Sequence, residues 1–178
     1  IQEIHDWILD HTVDLGLTSI QDDDEFESIP LYDDPMMAVV PAEYDLNGKA
    51  YIDVEEFADR PFIMASMEKE NDRDVDRVIR TSGIDVNIKF TSKDDTAIMS
   101  MVEYGLGVSI IPELYTLRHF QNIRVVPLNP PFKRVLGIGL YSISSASPAA
   151  QKFIEYAKDM FTEKYGTHQC ALLIREQM

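Results

Sequence analysis

The chain has 178 residues, 45% of them apolar, and a formal net charge of −15. That length fits one ordinary domain or two small lobes, with enough apolar content for a real core. The acidic balance argues against this chain gripping nucleic-acid phosphates itself. No apolar run approaches the ~20 residues of a membrane helix. Cys170, the only cysteine, excludes an internal disulfide and a multi-cysteine metal site.

The opening IQEIHDWILDH carries three acidic residues and no basic one, so it is not a secretory signal. It reads as the tail of an amphipathic helix, with Ile1, Ile4 and Ile8 on one face beside Trp7. A buried strand over 13–18 follows, then a solvated acidic loop at 22–25. That loop lacks the alternating ligands, glycine and closing glutamate of a calcium loop. The stretch 29–41, IPLYDDPMMAVVP, predicts a strand that bends or crosses between lobes at Pro35. Asp53 and Glu56 have capping-box spacing for a short helix through Ala58. A buried strand over 61–65 leads into a loop at 66–70. A helix over 72–82 turns Val75, Val78 and Ile79 inward and ends at Gly83.

The most regular stretch is 86–112, VNIKFTSKDDTAIMSMVEYGLGVSIIP. Val86, Ile88 and Phe90 alternate with polar residues, the period of a half-buried strand. Ser92 stands at an N-cap position with Asp95 three residues on. Ile98, Met101 and Val102 share a helical face, Gly105 and Gly107 stop the helix, and 108–111 is a compact apolar strand closed by Pro112. This is a βαβ unit, whose helix N-terminus opens at the carboxyl end of the preceding strand, where open α/β sheets bind ligands. Beyond it the sequence predicts a short helix at 113–120, a short strand at 123–126, a turn at 129–131 and a long strand at 135–144. Ser147-Pro148 then starts a helix whose apolar face is Ala150, Phe153, Ile154, Ala157 and Phe161, ended by Gly166. Alternating strands and helices predict an α/β fold. Passages near Pro35 and Gly139 would suit paired crossings between two lobes.

Signals for chemistry are few. His5, His11, His119 and His168 are dispersed with no close ligand pair, so no metal site is expected. There is no nucleophile elbow and no phosphate-binding loop. Gly105 and Gly107 follow a helix instead of opening one, contrary to a dinucleotide fingerprint. Asp94 and Asp95 complement a helix dipole, and Lys93 beside them could meet a ligand carboxylate. No nucleophile is paired with a base, and an enzyme is not expected. Thr18, Ser66 and Ser92 each fall just after a predicted strand, where hydroxyls and backbone N–H groups can hold a small polar ligand.

Taken in order, VDLGLT (13–18), IPLYDDPMMAVVP (29–41), FADRPFIM (57–64), FTSKDDTAIMSMVEYGLGVSIIPE (90–113) and SPAAQKFIEYAKD (147–159) resemble the effector-binding domain of LysR-type transcriptional regulators. The helix ending in GLGVSIIPE is the most specific piece. The resemblance implies two Rossmann-like lobes of the periplasmic-binding-protein type II kind. Lobe I would be 1–34 with 142–166, lobe II 35–141, and 167–178 a C-terminal tail. It implies an inducer, often a small organic acid, held between the lobes by Thr18, Ser19, Ala65, Ser66, Met67, Ser92, Lys93 and Asp94. It further implies no cofactor, a homodimer or tetramer, a cytoplasmic location, and DNA contact only through a winged helix-turn-helix that this chain lacks. The first strand-helix-strand of lobe I is also expected to be missing, since the chain begins within the helix before VDLGLT. The runner-up reading is a solute-binding protein of a transport system, which shares the clamshell.

Overall fold

A computed structural model describes residues 2–22, 24–67, 70–71, 73–117 and 120–166. In chain order the elements are α1 (Gln2–Leu9), β1 (Gly16–Ile20), β2 (Glu27–Pro41), β3 (Ile52–Asp53), β4 (Pro61–Met67), β5 (Glu70–Asn71), α2 (Arg73–Ser82), β6 (Asn87–Ser92), α3 (Asp95–Glu103), β7 (Ser109–Pro112), β8 (Ile123–Leu140) and α4 (Pro148–Tyr165). Short 3-10 helices lie at Val54–Phe57 and Glu113–Leu117. The expected tail at 167–178, with His168 and Cys170, lies outside the described residues, as does His119.

The chain divides into two compact units, Ile1–Asp33 with Arg134–Met178, and Asp34–Lys133. The chain passes from unit 1 to unit 2 within β2 and returns within β8. The first crossing falls beside Pro35. The second falls at Lys133, not at 141, because 135–139 pair antiparallel with β1 from Gly16↔Gly139 to Ile20↔Val135 and so belong with it. The strand, turn and longer strand expected over 123–144 form one run, β8, which absorbs Pro127, Pro130 and Pro131 and ends at Leu140, short of the expected 144. Proline cannot donate to a ladder: Pro127 precedes the Leu128–Asn129 segment of β8 that pairs with β3, and Pro130 and Pro131 sit between that segment and the one that pairs with β1.

In unit 1, β1 starts three residues later than the sequence suggests. Val13 donates its N–H to the Trp7 carbonyl at 3.1 Å, so 13–15 close the end of α1 instead of entering the sheet. Gly16 then passes so close to α1 that a Cβ there would lie 2.5 Å from Ile4 Cγ2. Helix α4 is capped by the Ser147 hydroxyl, which accepts from Ala150 N–H at 3.2 Å. Its Ile154 and Ala157 pack on Ile29, Leu31, Ile138 and Leu140 to form the unit's core.

Unit 2 is built on β4, a strand of wholly buried Phe62, Ile63 and Met64. A strand buried on both faces reads as a continuous apolar run. β4 pairs parallel with β6 on one side, Phe62↔Ile88 through Ala65↔Ser92. On its other side a parallel bridge joins Phe62 to Val108, leading into β7, which pairs antiparallel with β2. Gly107 permits that approach, since a Cβ there would lie 2.5 Å from the Pro61 carbonyl oxygen. Helix α2 covers one face with Val75, Val78 and Ile79, beside Phe57, Val54 and Ile110. Helix α3 covers the other with Ile98, Met99 and Val102, beside Ile63, Val39 and Ile111.

Three local expectations are corrected here. Asp53 does not cap the 3-10 helix with its side chain; its carboxylate goes instead to Lys49 and to the Asn129 amide. Ser66 is not in a loop: β4 continues through it to Met67, and Ser66 pairs with Asn71 of β5. Ile88 and Phe90 are not half-buried by alternation but are 41% and 42% exposed, because β6 is the edge of its sheet.

Candidate functional site

In unit 2 the order β6, β4, β7 places the strand that follows first in the chain on one side of β4 and the next on the other. Such a reversal leaves a crevice outside the carboxyl ends of the strands. A cavity of about 600 Å³ lies there. One wall is the turn after β6 and the start of α3, with Lys93, Asp94, Asp95 and Thr96; Met99 comes from the next turn of that helix. The other wall is Leu114 and Tyr115, from the 3-10 helix after β7.

The turn is fixed by its own side chains. Ser92, the last residue of β6, accepts from Asp94 N–H at 3.1 Å through its hydroxyl. Asp94 then caps α3: Oδ1 accepts from Thr96 N–H at 2.7 Å and from Ala97 N–H at 3.3 Å. The N-cap is therefore Asp94, not Ser92, because Asp94 holds the extended backbone (φ −108°, ψ 112°) from which a side chain reaches the first turn. The capping carboxylate takes two N–H groups that a helix N-terminus would otherwise offer an anion. The opposite wall is set from β2. Asp34, fully buried, accepts from Leu114 N–H at 3.1 Å and so fixes where the 3-10 helix begins.

Of the residues the sequence singled out, six lie at the carboxyl ends of β4 and β6, and of these only Lys93 and Asp94 line the cavity. Ala65 lies in register with Ser92, Ser66 and Met67 complete β4, and Lys93 and Asp94 follow in the turn. Thr18 and Ser19 belong to unit 1. They sit inside β1 rather than after it, and are buried at 6% and 5% exposure. The Thr18 hydroxyl lies 3.0 Å from His5 Nε2. Sequence reasoning reached Thr96 only as the end of the 92–96 helix start, and did not pick out Met99, Leu114, Tyr115 or Asp34. The same strand-end rule applied to Pro112 would have reached Leu114 and Tyr115, whereas the Asp34 contact spans the whole unit and leaves no local signal.

Among the described residues no group of three or more His, Cys, Asp or Glu is arranged to hold a metal ion, and no helix is long and apolar enough to cross a membrane. The perturbed titratable groups lie elsewhere. In unit 2, the Lys49 ammonium and the Asn129 amide hold the Asp53 carboxyl below its ordinary range, while burial and then Glu56 push the Tyr44 phenol up.

Two α/β units joined by strands β2 and β8 define the class as the type II periplasmic-binding-protein fold. Residues 2–162 match the family model of the LysR substrate binding domain, and the chain belongs to that family. It is 28% identical over 147 residues to the HTH-type transcriptional regulator YybE of Bacillus subtilis, an alignment covering 83% of this chain and 50% of that protein. The chain spans about half the length of the curated relatives it matches. Among solved structures it resembles the effector binding domain of a BenM variant, with TM-score 0.79, 14% identity and coverage of 94% of this chain and 80% of the other. It also resembles the effector binding domain of QuiR in complex with shikimate, with TM-score 0.75, 24% identity and coverage of 91% and 78%.

Proposed function

We propose that this chain is the inducer-sensing portion of a bacterial, cytoplasmic LysR-type regulator of transcription, and not an enzyme. The observation that carries the reading is a family match over nearly the whole chain together with a strand-end cavity in unit 2. The effector contacts proposed are Thr18, Ser19, Ala65, Ser66, Met67, Ser92, Lys93 and Asp94, extended by Thr96, Leu114 and Tyr115. A carboxylate effector would meet the Lys93 ammonium, since Asp94 already occupies the helix N-terminus. DNA contact belongs to a helix-turn-helix outside this chain, in keeping with the names of its relatives and with its net charge of −15.

An effector changes such a regulator only if it binds one state of the protein better than another. The assembly proposed is a homodimer or tetramer, supported by the edge strand β6, where apolar Ile88 and Phe90 stand in the open. A transport solute-binding protein shares the fold class, and membership of the LysR family favours the regulator over it. A thermal-shift screen of small metabolites tests the reading. At least one should raise the melting temperature in a concentration-dependent way, and a panel of organic acids, amino acids, sugars and neutral metabolites in which none does so would overturn it.

A further inference from the structure

The loop that joins β2 to β3 carries the dipeptide Asn47-Gly48. It forms a turn in which Lys49 donates its N–H to the Leu46 carbonyl at 2.9 Å, with φ of 51° at Asn47 and 76° at Gly48. Positive φ at both central residues is the type I′ arrangement, which asparagine and glycine adopt most readily. Asn47 donates its own N–H to the Asp45 carboxylate at 2.8 Å. The Gly48 N–H, between these two, has no hydrogen-bond partner among the described residues. Residues 47–50 are exposed, and no heavy atom lies within 4 Å of where a Gly48 Cβ would stand.

We propose that Asn47-Gly48 is a site of spontaneous deamidation, and that its isoaspartyl product opens the turn carrying Lys49. The Gly48 nitrogen gives its proton to solvent and attacks Asn47 Cγ. The new N–Cγ bond closes a succinimide ring as the Cγ–Nδ2 bond breaks and Nδ2 leaves as ammonia. Water then opens the ring. Breaking the bond from nitrogen to Cγ leaves an ordinary aspartate, whereas breaking the bond from nitrogen to the Asn47 carbonyl carbon leaves isoaspartate, with the backbone running through the side chain. One amide and one water give one carboxylate and one ammonium ion, and nothing is oxidised or reduced.

Glycine follows no other asparagine in the chain: Asn87 and Asn122 precede isoleucine, and Asn129 precedes Pro130. Proline has no N–H to lose, and the branched isoleucine side chain crowds the attacking nitrogen. Glycine does neither. The N–H that must be lost is also the one the turn leaves unbonded, so its removal breaks no hydrogen bond. The consequence falls in unit 2. The Lys49 ammonium reaches Asp53 and, at 3.6 Å, Glu56, and Asp53 holds the Asn129 amide of β8. Isoaspartate lengthens the turn by one backbone carbon, which spoils the Leu46–Lys49 bond and frees Lys49 to leave its carboxylates. None of these residues lines the strand-end cavity, so the inference stands apart from the effector reading.

The test is to age the whole chain in oxygen-18 water at physiological pH and temperature. Peptide mass spectrometry, with fragmentation that separates aspartate from isoaspartate, reads residue 47. In the folded protein both products should accumulate, each carrying one solvent oxygen, at least about tenfold faster than at Asn87 or Asn122. In the aged isoaspartyl fraction the Lys49 amide should exchange at least about tenfold faster than in fresh protein. A folded chain that keeps Asn47 while the urea-unfolded chain loses it would show that the turn protects the residue, and would overturn the site. Loss at equal rates from all three asparagines, or from none, would overturn it too. Aspartate without isoaspartate would overturn the ring route, and unchanged exchange at Lys49 would overturn the opening of the turn.

Discussion

Asp94 closes the amino end of α3 by accepting the Thr96 N–H at 2.7 Å, two residues along the chain. That bond fixes the direction of α3 at the mouth of the strand-end cavity, and it converts a helix N-terminus from an anion site into a self-neutralised wall.

Removing the cap should cost stability without altering the fold. Asp94→Ala is expected to destabilise the protein by about 1 kcal/mol, while Asp94→Asn, which can still accept, keeps most of it. Urea melts of the two variants against wild type check the difference. Equal losses would mean that the carboxylate charge, and not the cap bond, supplies the stabilisation.

The contact between β4 and β7 depends on the absence of a side chain at Gly107. Gly107→Ala would place a methyl 2.5 Å from the Pro61 carbonyl oxygen, which is backbone and cannot swing aside. The expected cost is about 1–3 kcal/mol, read as a lower denaturation midpoint. Exchange should quicken at the Ile63 and Val108 amides, whose bonds to Val108 O and Pro61 O are both 2.9 Å.

Asp53 gives unit 2 a pH dependence of definite sign. Because Lys49 and Asn129 lower its proton affinity in the folded state, its contribution is present above about pH 4 and is lost as pH falls through the depressed folded-state value. Asp53→Asn should therefore be less stable than wild type at pH 7, with the gap narrowing as pH falls below about 4. Denaturation at pH 7, 5 and 3 measures it.

The exposed edge of β6 predicts self-association. Ile88→Lys with Phe90→Lys removes two apolar side chains from that edge and adds charge, and should weaken any dimer by at least about tenfold. Light scattering across micromolar concentrations reads this. A wild-type chain that stays monomeric there would contradict the proposed homo-oligomer.

How much of this was legible in the sequence follows the range of the forces involved. The helix face of α2 and the apolar run of β4 are set by local periodicity and stand where the pattern puts them; on α4, Ala150, Ile154 and Ala157 are buried as the pattern predicts, but Phe153, placed on the same face by spacing, is 43% exposed. The cap was misplaced by two residues because Ser92 and Asp94 are both good capping residues, and only the backbone angles at Asp94 decide between them. Ile88 and Phe90 alternate like a half-buried strand, yet burial depends on what lies beside β6, and nothing in its own six residues says that it is an edge. The Asp34 bond to Leu114 and the His5 contacts with Thr18 and Asp24 join distant residues, so no spacing rule announces them.

The central claim is that a small effector binds at the carboxyl ends of β4 and β6. Ser66, paired with Asn71 at the end of β4, tests it directly. For a metabolite that stabilises wild type, the thermal shift should vanish in Ser66→Tyr, whose bulk fills that strand end, while circular dichroism and a cooperative melt show the variant folded. A shift of undiminished size in folded Ser66→Tyr would contradict the site.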